Sequence, residues 1–151
     1  TQRRDVPVGE DLLIPLGVAD IRREGSDVTV VAIGRLVDRA LEAAERLQEE
    51  DGISVEVIDP RTLSPLDTET ILESVRRTGR LVTAQEATAP CSVGSELVAL
   101  AAESCLSELK AAPIRVTSPF VNIPTPLPLA EERAPGVEDV MSAVRETMQG
   151  S

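Results

Sequence analysis

Histidine, tryptophan and tyrosine are absent from the 151 residues, and one phenylalanine is the whole aromatic complement. Without histidine there is no Ser-His pair, no imidazole base near neutral pH, and none of the commonest metal ligand. Cysteine is nearly absent too. Cys91 and Cys105 stand fourteen residues apart, which suits neither a disulfide framework nor a metal knuckle, so both read as ordinary thiols. Gly-x-Gly-x-x-Gly and Walker-type glycine loops are missing, which argues against a nucleotide site. No apolar run approaches the roughly 20 residues that span a bilayer, so no membrane segment is expected. The polar start Thr1-Gln2-Arg3-Arg4-Asp5 lacks the apolar stretch of a secretory signal, which makes the cytoplasm the expected compartment.

Acidic residues, by contrast, are plentiful: 26 against 15 basic ones, a formal net charge of −11. That balance opposes phosphate backbones and disfavours nucleic acid as a partner. It suits either plain solubility or a basic protein partner, and composition alone leaves both open. Apolar residues make up 42% and charged residues 27%, the proportions of one globular domain with a real core.

The pattern along the chain is strand alternating with helix. Asp27 to Ile33 is a continuous β-branched run bounded by Gly25 and Gly34, as in a parallel strand buried on both faces. Leu36, Ala40, Ala43 and Leu47 then fall at helical spacing up to Gly52, and Ser54 to Asp59 returns as a strand, completing a βαβ unit. Asp67 or Thr68 can cap a second helix that Gly79 ends, followed by a strand over 80–86. Ser92 can cap a third helix, Pro113 precedes a strand over 114–117, and Val137 to Met148 carries a terminal amphipathic helix. Five prolines between Ser118 and Pro135 deny that stretch a helix and mark a loop or wrapping segment. The expected fold is a three-layer α/β/α sandwich on a mostly parallel sheet, with one antiparallel edge strand allowed. Residues 1–24 are expected to be a leading arm or linker and 25–151 the domain proper, with 12–16 docking on the body or forming a short edge strand.

In such sheets ligands gather at the carboxyl ends of the strands, which singles out Gly34-Arg35, Asp59-Pro60-Arg61 and Glu86. Asp59 and Arg61 flank a proline, an arrangement that pins a loop more readily than it processes a substrate. Glu86 could move a proton if buried, yet it has no histidine or second carboxylate nearby in sequence to share the work. Ser92-Val-Gly-Ser95 is too loose for a nucleophile elbow.

Leu16-Gly17-x-Ala19-Asp20, Arg23-Glu24-Gly25-Ser26-Asp27-Val28-Thr29, Ala40-Leu41-Glu42-Ala43-Ala44 and, most specifically, the stretch Val57 to Asp67 (VIDPRTLSPLD) resemble the C-terminal domain of transketolase-like proteins. Glu86-Ala87, Gly94-Ser95-Glu96 and Val137-Glu138-Asp139 carry the resemblance over nearly the whole chain, and the likeness is greatest to the beta subunit of the first component of 2-oxoacid dehydrogenase complexes. Two loops depart from that pattern: Cys91-Ser92-Val93-Gly94 replaces a glycine-rich turn, and Ile123-Pro124-Thr125-Pro126 replaces a Pro-Tyr followed by prolines.

The resemblance implies a domain that builds subunit contacts and binds no cofactor itself, while thiamine diphosphate and magnesium are held elsewhere in the parent enzyme. It implies an alpha subunit and a second beta subunit of a heterotetramer as partners, and a dihydrolipoyl acyltransferase core docked through its subunit-binding domain. The domain alone would be inactive. Two alternatives stay open: the same domain from a transketolase or related synthase, and a free-standing binding module. If assembly is the role, Phe120, Val121, Ile123, Leu127, Leu129 and residues 12–16 are the apolar positions expected at interfaces, the other outcome being that they fold back on their own core.

Overall fold

The computed structural model describes residues 14–121 and 133–150. A five-stranded sheet of order β1-β3-β2-β4-β5 forms its middle layer. β2 (Val28–Ala32) is central, and all five of its residues are buried. β3 (Val55–Asp59) pairs with it in parallel on one side and β4 (Leu81–Thr88) on the other. β5 (Ile114–Ser118) adds in parallel to β4, and β1 (Asp20–Arg23) runs antiparallel to β3.

Alternation along the strands feeds two cores. Val28, Val30, Val57, Val82 and Val116 face α1 (Leu36–Glu50) and the last helix, α4 (Val137–Gln149), where they meet Leu36, Leu47, Met141 and Val144. Val31, Ile58 and Leu81 face the opposite way, onto Ile71 and Val75 of α2 (Thr68–Thr78) and Leu97, Ala101 and Cys105 of α3 (Val93–Cys105). Each such side chain, fully buried, is worth about 1.5–3 kcal/mol relative to exposure. Cys105 is one of them, and burial pushes its thiol up from the ordinary value. The second core also encloses hydroxyls that satisfy one another: Thr29 Oγ1 lies 2.6 Å from Ser74 Oγ and 2.8 Å from Thr78 Oγ1.

The helix ends follow the sequence signals. Asp67 caps α2 by accepting from the Thr70 N–H (3.1 Å), Gly79 closes it in the left-handed region (φ 74°), and Ser92 caps α3. β4 runs on to Thr88, past the expected end at Glu86, because its outer part regains pairing with β5 at Thr88–Ser118 after a register shift.

The leading segment differs from expectation. The antiparallel edge strand is β1, at Asp20–Arg23, inside the stretch expected to be an arm, so the sheet begins before residue 25. Its charged residues and the register shift between Ile21 and Arg23 hide any regular alternation, which is why the sequence carries no strand signal there. Ile14 and Leu16 are exposed and belong to no strand. No described helix is long and apolar enough to cross a membrane.

Candidate functional site

β2 is followed by a connection to β3 on one side and β4 by a connection to β5 on the other, so the carboxyl ends of β2 and β4 flank the point where the winding reverses. That crevice is occupied by an ion pair. Arg35, just past β2, donates from Nε to Glu86 Oε1 of β4 at 2.9 Å and again from Nη2. Both side chains are exposed, so the pair contributes little to stability and mainly sets the charge pattern of the surface. Glu86 is thus held by a guanidinium in open solvent, whereas its neighbour Gln85 points inward and accepts the Gly94 N–H at the start of α3 (2.9 Å).

Beyond β3, Arg61 adopts a left-handed backbone (φ 55°) and its N–H donates to Asp59 Oδ1 at 2.9 Å. Its guanidinium pairs with Asp20 of β1, the residue opposite Asp59 in the sheet, at 2.7 Å. The Asp59 carboxylate therefore meets the Arg61 backbone, and the guanidinium ties the loop to the edge strand. The same loop anchors the residues leading into β1. The Gly17 N–H donates to Thr62 Oγ1 (2.9 Å), which itself donates to Pro65 O (2.8 Å), and the Ala19 N–H donates to Asp67 Oδ2 (2.9 Å). Burial pushes the Asp67 carboxyl up, but its bonds from Ala19 and Thr70 outweigh this and hold it below the usual carboxylate range.

Large apolar side chains stand on both margins of this pole. Leu16 (77% exposed), Ile14 and Val18 precede β1, Leu63 sits in the loop after β3, and Phe120 (78% exposed) and Val121 follow β5. Leu12, Ile123, Leu127 and Leu129 lie outside the described residues. The structure therefore brings Glu86 together with Arg35, and Asp59 with Arg61 and Asp20, while Phe120 and Val121 stand at the far edge.

Glu56 was missed by sequence reading. It is buried to 2% exposure beside β1, where Oε2 accepts from Arg77 Nη2 of α2 (2.6 Å) and from the Gly25 N–H (3.4 Å), and Oε1 is buried without a partner. The available signal was a lone carboxylate in the apolar strand Val55-Glu56-Val57-Ile58.

Among the described residues no three histidine, cysteine or carboxylate side chains are grouped to hold a metal ion.

Comparison with known proteins accords with this architecture. The family model described as "Transketolase, C-terminal domain" matches residues 17–140. The beta subunit of acetoin:2,6-dichlorophenolindophenol oxidoreductase from Cupriavidus necator is 42% identical over 146 residues, 97% of this chain and 43% of that protein. The pyruvate dehydrogenase E1 component subunit beta of Bacillus subtilis is 37% identical, over 97% of this chain and 44% of its own length. A solved structure described as "Split gene transketolase, inactive beta4 tetramer" superposes with a TM-score of 0.79 at 32% identity, covering 95% of this chain and 46% of that one. The chain thus spans less than half the length of the relatives it matches.

Proposed function

Because this chain belongs to the transketolase C-terminal domain family, we propose that it is the assembly domain of the beta subunit of a thiamine-diphosphate-dependent 2-oxoacid dehydrogenase. The observation that carries this reading is the carboxyl pole, where exposed apolar side chains on both margins flank a crevice filled by Arg35 and Glu86. Apolar contact area with a charged centre and no grouped acid and base suits docking better than turnover. The proposed partners are the alpha subunit, a second beta subunit, and the dihydrolipoyl acyltransferase core through its subunit-binding domain. The net charge of −11 favours a basic docking module, with a contribution to association that salt screens. Thiamine diphosphate and magnesium would be held by other parts of the parent enzyme, and the setting would be cytoplasmic.

The likeness to a split-gene transketolase supports a second reading, the same assembly role in a transketolase. Isothermal titration of this chain with a subunit-binding domain at low and moderate salt, with thiamine diphosphate plus magnesium titrated in parallel, separates the possibilities. Salt-sensitive protein binding and no cofactor binding is the expected outcome. Cofactor binding by this chain alone would overturn the reading, and binding to neither would shift it to contacts within the heterotetramer or to the transketolase alternative.

A further inference from the structure

Glu56 stands near the start of β3, at the amino pole of the sheet, and a groove of about 460 Å³ opens beside it between β1, the turn into β2 and α2. Its Oε2 accepts from Arg77 Nη2 (2.6 Å) and the Gly25 N–H (3.4 Å). Oε1 has no partner among the described residues and is closed to solvent. A carboxylate oxygen buried without a donor is costly, and a ligand that brings one recovers that cost.

The charges along the groove decide the sign of that ligand. Glu24 stands on its wall, and Arg77, the one cation lining it among the described residues, is spent on Glu56 Oε2 and the Gly25 carbonyl (2.6 Å). Two carboxylates against one guanidinium repel anions and attract a cation. Shape decides its kind. Ser54 Oγ, which accepts from the Ser26 N–H at 3.3 Å, keeps a lone pair on the same wall, and Ile21, 45% exposed, offers an apolar flank. Separate acceptors beside an apolar flank suit the three N–H donors of an ammonium on an alkyl stem. A flat guanidinium asks for both oxygens of one carboxylate, and Arg77 already holds Oε2.

We propose that this groove binds a primary ammonium group carried on an alkyl chain, the nitrogen donating to Glu56 Oε1 and Ser54 Oγ and the chain lying along Ile21. Arg77, half exposed, swings aside to admit the ligand to Oε1 and returns to Oε2. A lysine side chain of another protein and a free alkylamine share this chemistry. The groove lies at the pole away from Arg35 and Glu86, so the inference goes beyond the assembly reading and does not rest on it.

Adding n-butylammonium to the full chain at constant ionic strength, followed by amide NMR, tests the proposal. Tetramethylammonium, which has the charge but no N–H, is the control, and the peptide acetyl-Gly-Lys-Gly-amide is a second arm. Saturable shifts at the Gly25, Ser26 and Glu56 amides are expected with n-butylammonium and none with tetramethylammonium. The near-isosteric Glu56→Gln should raise the dissociation constant at least about tenfold, with circular dichroism to verify the fold. Glu24→Gln and Ile21→Ser change exposed side chains and keep the test decisive should E56Q not fold; each should raise the constant about threefold. Peptide binding as tight as that of n-butylammonium would support a protein lysine as the ligand, and n-butylammonium binding alone would support a free amine. Equal shifts with tetramethylammonium, binding indifferent to every variant that folds, or no shift up to about 0.1 M n-butylammonium would overturn the proposal and leave the assembly reading untouched.

Discussion

Along β1 three of four residues are charged and the strand runs antiparallel to β3, whereas β5 carries three β-branched residues, runs parallel to β4 and, among the described residues, pairs with no strand on its other side. The β1 margin is also fastened from several directions: Asp20 to Arg61, Ala19 to Asp67, Gly17 to Thr62, and Gly25 to the buried Glu56. The difference teaches that the two edges serve different ends. One margin is fastened by side chains of the same chain, and the other ends in the exposed Phe120 and Val121.

On that comparison, damage at the β1 margin should appear as lost stability and damage at the β5 margin as lost association. The largest effect is expected for Gly25→Ala. A Cβ there would stand 2.2 Å from the Glu56 backbone nitrogen, a contact only main-chain movement relieves, so chemical denaturation should register a loss above about 3 kcal/mol. Arg77→Ala leaves Glu56 buried with neither oxygen ion-paired, and a loss of about 2–3 kcal/mol is expected by the same method. A variant as stable as the parent would mean that Glu56 reaches water, and the closed-margin description would fail there.

Asp67→Ala removes both the α2 cap and the Ala19 anchor, for about 1–2 kcal/mol, with faster hydrogen exchange over β1. Because the folded Asp67 carboxyl lies below its ordinary range, its contribution is complete above the unfolded value near pH ~4 and fades as pH falls through the lower folded value. Parent and variant should therefore differ by a constant amount near neutrality and converge in acid. A gap that widens in acid would contradict the assignment. The smallest effect on folding is expected at the other margin: Phe120→Ser should change stability by less than about 0.5 kcal/mol while weakening partner docking in the titration described above.

The buried strands and amphipathic helices were legible because their patterns are written by burial on one or both faces. β2 and β3 lie within a residue of the bounds expected, and Asp67, Gly79 and Ser92 mark helix ends by local chemistry that needs no tertiary context. β1 was illegible for the opposite reason. Its place in the sheet is set by side chains some forty residues away, Arg61 and Asp67 among them, and its own sequence of charges carries no period. The site was legible in part: the strand ends drew attention to Arg35, Asp59, Arg61 and Glu86, but sequence proximity suggested pairing Asp59 with Arg61 and could not reveal that Arg61 reaches Asp20 and Arg35 reaches Glu86.

The antiparallel course of β1 also has a mechanical meaning. Ile14 lies at the carboxyl pole and Gly150, packed near Ala111, at the amino pole, so tension applied between them slides β1 along β3 instead of peeling it away. All rungs of that ladder then carry load together. In single-molecule stretching, this domain should yield in one high-force step, and a low-force, rung-by-rung opening would show that the load takes another path.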